Sequence, residues 1–181
     1  MTAQFTQTSI AAAHVQPLLD GLFQEYFEIY HQVLSDHGKL AAYQDKQHHE
    51  RHESEVLYQP PYGLFVTLNN GKQIIAMGAY KRYDHETAEL KRIWTHPEFR
   101  KQGIAESVVL ELERHAKAAG YKKIYLTTGF KQIAAVKLYL ALAYQPLFQL
   151  NREFNFDHYG EDPYDGSLPF EKLLVREDAI S

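Results

Sequence analysis

The chain has no cysteine among its 181 residues. That removes disulfides, Cys-zinc sites, Fe–S clusters and any thiolate nucleophile or acyl-cysteine intermediate. An excess of positive charge is missing as well: 19 Lys and Arg stand against 23 Asp and Glu, a formal net charge of -4. No overall basic field is available to hold a polyanion, so nucleic acid is not expected as a partner. No stretch approaches the roughly 18 apolar residues of a bilayer span. The first twenty residues lack the basic start of a secretory leader, and His14 interrupts their short apolar patch. The expectation is a cytoplasmic protein with no membrane partner.

Several chemical motifs are also absent. There is no GxxxxGKS/T phosphate loop, no GxGxxG dinucleotide fingerprint and no GxSxG hydrolase elbow. Ten histidines are present, and His48 and His52 share the i, i+4 spacing of a helical chelate. His49-Glu50-Arg51-His52 nevertheless falls one residue short of HExxH, and no third ligand lies nearby, so no metal ligand is expected.

What is present suits one domain over residues 1–181, with 45% hydrophobic residues to build a single core. Val15, Leu18, Leu19, Leu22, Tyr26, Ile29, Tyr30 and Val33 recur at helical spacing, which predicts an amphipathic helix fading near Asp36-His37-Gly38. The polar run Lys46 to Glu55 reads as a solvated loop or exposed helical turn, stopped by Pro60-Pro61. Tyr62 to Leu68 and Gln73 to Tyr80 form a predicted hairpin around Asn69-Asn70-Gly71-Lys72, with a third strand from Ala88 to Thr95. After His96-Pro97 the period changes. Ile104, Val108, Leu112 and Ala116 fall four apart, Glu106, Glu113 and Lys117 face outward, and Gly120 occupies the C-cap. Lys122 to Thr127 reads as a strand, Gln132 to Leu142 as a helix, Gln145 to Leu150 as a strand and Phe170 to Val175 as the last strand. The segment from Asn151 to Leu168 reads as a solvated acidic and aromatic loop, with attraction of an ammonium group as the alternative.

The chemistry centres on the turn from His96 to Arg100-Lys101-Gln102-Gly103-Ile104-Ala105. A helix N-terminus presents unpaired N–H groups and partial positive charge, Gly103 and Ala105 are small, and Arg100 and Lys101 add full charges. It is a plausible diphosphate cradle or, on the bland reading, a basic structural turn.

The pattern R-x-x-G-x-G/A between a strand and a long helix, followed by a short strand and a helix carrying A-x-x-x-Y, resembles the GNAT superfamily of acyl-CoA-dependent N-acyltransferases. Here it comprises the strand Glu89 to Thr95, the residues Arg100, Gly103 and Ala105, and the segment Gln132-Ile133-Ala134-Ala135-Val136-Lys137-Leu138-Tyr139. The resemblance covers Tyr62 to Tyr144 well. It implies an α/β (α+β) fold: a mixed, mostly antiparallel central sheet with splayed middle strands, flanked by helices on both faces. It also implies an N-acetyltransferase that moves an acetyl group from the cosubstrate acetyl-CoA to a primary amine, small-molecule or peptide, by direct attack in a ternary complex. The alternative is a catalytically inactive CoA-binding sensor or interaction module of the same fold. Dimers are common in the superfamily, so a homodimer is compatible with the resemblance.

The pantetheine arm is then expected against the backbone of Ile93, Trp94 and Thr95, with Gln132 and Ala135 beside it. The diphosphate is expected at the N–H groups of Gln102, Gly103, Ile104 and Ala105, flanked by Arg100 and Lys101. Tyr139 takes the place of the acid that protonates the departing sulfur, unless it is a core tyrosine. Glu89 takes the place of the base that deprotonates the amine, unless it is a solvated strand-end carboxylate. Strict alternation puts Glu89, Lys91, Ile93 and Thr95 on one face and Leu90, Arg92 and Trp94 on the other, and a bulge near Ile93 would reset that parity. The segment departs from the superfamily pattern twice: Gln132 replaces the usual asparagine, and Ala143 the glycine that ends the helix.

Overall fold

A computed structural model describes residues 2–149 and 167–175. In chain order the elements are β1 (Gln4–Gln7), α1 (Gln16–Asp36), α2 (Leu40–Arg51), β2 (Leu64–Asn69), β3 (Ile74–Arg82) and β4 (Thr87–Thr95). They are followed by α3 (Ile104–Ala118), β5 (Lys123–Gly129), α4 (Ile133–Ala141), β6 (Gln145–Pro146) and β7 (Ser167–Leu173). The strands form one seven-stranded sheet in the order β1-β2-β3-β4-β5-β7-β6. All pairings are antiparallel except β4 with β5. The expected mixed, mostly antiparallel architecture is the one observed.

Two cores lie on opposite faces of the sheet, and the pleat sorts residues between them. Along β2, Leu64, Val66 and Leu68 join Val108, Val109, Leu112 and Ala116 of α3, whereas Phe65 joins Leu18, Leu19 and Leu22 of α1. Gly78 of β3 permits close approach on the α3 side: a Cβ there would lie 2.5 Å from Val108 Cγ1.

Four expectations change. The run read as a solvated loop or exposed helical turn is, as far as Arg51, the second half of α2, a full helix with no side-chain N-cap that buries only Tyr43. Its stability comes from tertiary contacts, including an Arg51–Asp20 ion pair of 2.6 Å, and not from an apolar stripe, which is why periodicity did not show it. Glu113 is buried, not outward-facing. It lies on the Val109–Ala116 side of α3, where it accepts hydrogen bonds from Lys172 Nζ at 2.7 Å and the Tyr144 hydroxyl at 3.2 Å. The short polar strand β1 pairs with β2 and was not anticipated. The last strand starts at Ser167, earlier than Phe170, because the β5 register continues to Gly129. Of the predicted strand Gln145 to Leu150, Gln145–Pro146 pairs with β7, and residue 150 lies outside the described residues. So does 151–166, the bulk of the acidic and aromatic loop.

Candidate active site

β4 and β5 share only the pairs Thr87–Lys123, Ala88–Ile124 and Glu89–Tyr125. Beyond Glu89 the two strands part, while β4 remains paired to β3 and β5 to β7. The register between β3 and β4 shifts between Met77 and Ala79, leaving Gly78 opposite both Arg92 and Ile93, and Arg92 takes φ +60°. This β-bulge re-aims the strand. Ile93 now packs with Val108 and Leu112 on the α3 side, together with Leu90. Trp94 moves to the α1 side, the side that also receives Arg92 and Lys91. Uninterrupted alternation would have put Ile93 with Lys91 and Trp94 with Leu90.

On that side Arg92 is nearly fully buried. Its Nη1 donates to Glu50 Oε2 at 3.1 Å, and its Nη2 to the Glu50 carbonyl at 2.7 Å and Glu53 Oε1 at 3.3 Å. The guanidinium lies 5.1 Å from the Phe23 ring centroid. Burial alone would raise the Glu50 pKa, but Lys91 and Arg92 together hold it below the ordinary carboxylate value. Glu89 stands at the last β4–β5 pair, with its carboxylate 3.9 Å from Lys81 Nζ.

Below the opening, the strand leads through the short 3₁₀ turn Pro97–Phe99 into the cradle. His96 Nδ1 accepts from the Glu98 N–H at 3.2 Å and starts that turn. Lys101 and Gly103 have φ +61° and +75°, and nothing lies within 4 Å of a Cβ built on Gly103. No backbone N–H from Lys101 to Glu106 donates to a described residue. Open space and unused donors therefore coincide at the start of α3, a setting that fits a diphosphate. Thr95 contributes a buried Oγ1 with no partner among the described residues, while its carbonyl accepts from Arg100 Nε at 3.0 Å.

From the other side, α4 brings Tyr139 and Gln132. Tyr139 is buried against Tyr144 and Phe170, at centroid distances of 5.5 and 5.8 Å. Its hydroxyl bonds to no described residue. Burial, and secondarily the nearby Tyr26, push its pKa above the ordinary tyrosine value. Ala135 packs against the same core. Gln132 does not project as an independent group: its Oε1 accepts from the Gly129 N–H at 2.8 Å and the Tyr30 hydroxyl at 3.2 Å. A Cβ on Gly129 would lie 1.8 Å from that hydroxyl, so α1 closes tightly over the end of β5. Burial raises the Tyr26 pKa, against a smaller opposing effect of the Gln132 side chain. Thus Tyr26 and Tyr30 of α1 meet Gln132 at the start of α4, and Tyr26 also lies near Tyr139. The sequence presented Tyr26 and Tyr30 only as apolar positions of the α1 stripe, and nothing in that spacing distinguishes a cleft hydroxyl from a core one.

Among the described residues, no group of three or more His, Asp or Glu is arranged to hold a metal ion, and no helix is long and apolar enough to cross a membrane.

The chain is 29% identical over 100 residues to N-acetylaspartate synthetase of Danio rerio, covering 54% of this chain and 36% of that protein. It is 26% identical over 109 residues to the uncharacterized N-acetyltransferase YsnE of Bacillus subtilis, covering 57% of this chain and 66% of the relative. The matches thus span less than two thirds of either relative. Its fold is similar to that of the PaiA N-acetyltransferase of Thermoplasma acidophilum in complex with coenzyme A: TM-score 0.67, 18% identity, 96% of this chain and 99% of the other. It is also similar to a GNAT family acetyltransferase of Elizabethkingia anophelis with acetyl-CoA bound: TM-score 0.59, 17% identity, 95% and 98% coverage. The profile of the acetyltransferase (GNAT) family matches residues 19–144, a stretch running from α1 through the splayed strands and the cradle to the end of α4, and the chain belongs to that family.

Proposed function

We propose that the chain transfers an acetyl group from acetyl-CoA to a primary amine by direct attack in a ternary complex. The observation that carries this reading is the parting of β4 from β5 beyond Glu89–Tyr125, with β4 leading on into a turn whose N–H groups donate to no described residue. When bound, acetyl-CoA supplies the activated acetyl group. The backbone of Ile93, Trp94 and Thr95 holds the pantetheine arm as an added strand would, with Ala135 and the Gln132 side chain along its other edge. The N–H groups of Gln102, Gly103, Ile104 and Ala105 hold the diphosphate. Glu89, at the point where the strands part, takes the proton from the attacking amine. Tyr139 gives its proton to the departing sulfur, and its buried, neutral hydroxyl suits that role. The acceptor approaches from the α1/α2 side of the sheet, the side that Glu89 and Lys91 face.

Calorimetric titration of acetyl-CoA against CoA and ATP, followed by thiol release over a panel of primary amines, tests the reading. Micromolar acetyl-CoA binding that is lost when Gly103 is made bulky, together with amine-dependent thiol release, is the expected result. Absence of binding overturns it, and binding without release leaves a CoA-binding module.

A further inference from the structure

The turn contains two cations, and they are not equivalent. Arg100 is committed in three directions: Nη2 donates to Glu25 Oε2 at 2.6 Å, Nε donates to the Thr95 carbonyl at 3.0 Å, and the guanidinium stands 5.9 Å from the Trp94 ring centroid. The same Glu25 oxygen accepts from Trp94 Nε1 at 2.8 Å. The Trp94 ring lies against α1 so closely that a Cβ on Gly21 would be 3.0 Å from its Cζ2 and Cη2. One carboxylate oxygen therefore joins α1, the end of β4 and the start of the cradle. Drawing Arg100 onto a phosphate would break a short ion pair, release the Thr95 carbonyl and leave Glu25 uncompensated near added negative charge. Lys101 is exposed and forms no ion pair with a described residue, so it can meet a phosphate without such losses.

We propose that Glu25 is a positioning residue that fixes Arg100 as a strut between α1 and the cofactor strand, leaving Lys101 as the side-chain cation for the diphosphate. The diphosphate half rests on the acetyl-CoA reading above, whereas the strut stands on its own contacts. Glu25 thereby sets where the acceptor-side helix lies relative to Trp94 and Thr95, and so affects amine alignment more than cosubstrate affinity.

Trp94 is the chain's single tryptophan, so its emission reports on this junction without any ligand. In the full chain, Glu25→Gln and Arg100→Gln should each shift Trp94 emission, the double variant should shift it no further than the larger single effect, and Lys101→Gln should leave it in place. By titration calorimetry Lys101→Gln should weaken CoA about tenfold, whereas Glu25→Gln and Arg100→Gln should change its Kd by less than about threefold. The latter two should instead raise the amine KM or lower kcat several-fold. Emission unmoved by both Glu25→Gln and Arg100→Gln overturns the strut. An Arg100→Gln loss of CoA affinity matching that of Lys101→Gln, with tighter binding in Glu25→Gln, also overturns the proposal and makes Arg100 a phosphate ligand held back by Glu25. If the wild-type chain binds no CoA, the acetyl-CoA reading and the role given to Lys101 both fall, while the emission still decides the strut.

Discussion

Tyr139 and Ala143 show two ways in which a single residue carries information. A buried hydroxyl whose pKa is raised stays protonated throughout the neutral range, as a proton donor to sulfur must. Tyr139→Phe keeps the ring packing against Tyr144 and Phe170 and should lower kcat by roughly 10²-fold with little change in acetyl-CoA Kd. Steady-state kinetics beside calorimetry would check this, and an unchanged kcat would make Tyr139 a core residue only. Ala143 was visible in the sequence as an alanine where the superfamily ends this helix with glycine, and the backbone shows what that substitution entails. Its φ is +66°, a left-handed conformation that costs an L side chain roughly 1–2 kcal/mol. Ala143→Gly should relieve that strain, lose roughly 0.5–1 kcal/mol to the freer unfolded chain, and so stabilise by about 0.5–1 kcal/mol. A higher urea midpoint at unchanged slope is the expected signature. The commitments of Arg100 to Glu25 and of Gln132 to Tyr30 were not legible in the same way, because they join residues 75 and 102 positions apart.

At the scale of elements, legibility followed the pattern each element displays. α1 and α3 bury apolar stripes at helical spacing, and the β2–β3 hairpin announces itself through Asn70-Gly71, whose turn Gly71 makes at φ +92°. β1 is four residues with only Phe5 apolar, and α2 buries a single tyrosine, so neither carries a periodic signal. α2 is instead anchored at its C-terminal end by Arg92, which binds the Glu50 carbonyl as well as the carboxylates of Glu50 and Glu53. Removing that cation leaves two largely buried carboxylates without their buried guanidinium partner, though Lys91 still faces Glu50 and Lys81 still faces Glu53, so Arg92→Ala should destabilise by about 2–3 kcal/mol. Urea unfolding would give the magnitude, and amide exchange should show the loss of protection concentrated in α2. The bulge that turns Arg92 to this side also turns Trp94, so the anchor of α2 and the junction at Glu25 depend on the same irregularity in β4. The sequence allowed for such a bulge but could not say which face Trp94 would take.

For the molecule as a whole, the tyrosines set an alkaline limit. Tyr30, Tyr58, Tyr80, Tyr139 and Tyr144 are each less than a tenth exposed, and burial pushes every one above the ordinary value of 10, Tyr80 up to about 12. Between those values the unfolded chain releases protons that the folded chain keeps, so the unfolded state binds fewer and stability falls as pH rises. Below pH 10 these hydroxyls should add no slope. Urea midpoints that hold steady up to pH 9 and decline steeply between 10 and 12 are expected, with the share of tyrosinate absorbance that belongs to these five rings appearing only on unfolding; a flat profile through pH 11.5 would show that these rings ionise in place. The three rungs joining β4 to β5 bear on another property of the whole chain, the order in which it can assemble. β1 to β4 pair only with one another apart from those rungs, and α3 packs on β3 and β4, so a nascent chain has every strand-pairing partner for that half once residue 118 leaves the ribosome. The β5–β7–β6 half can only dock afterwards, and the opening between β4 and β5 comes into being with that docking.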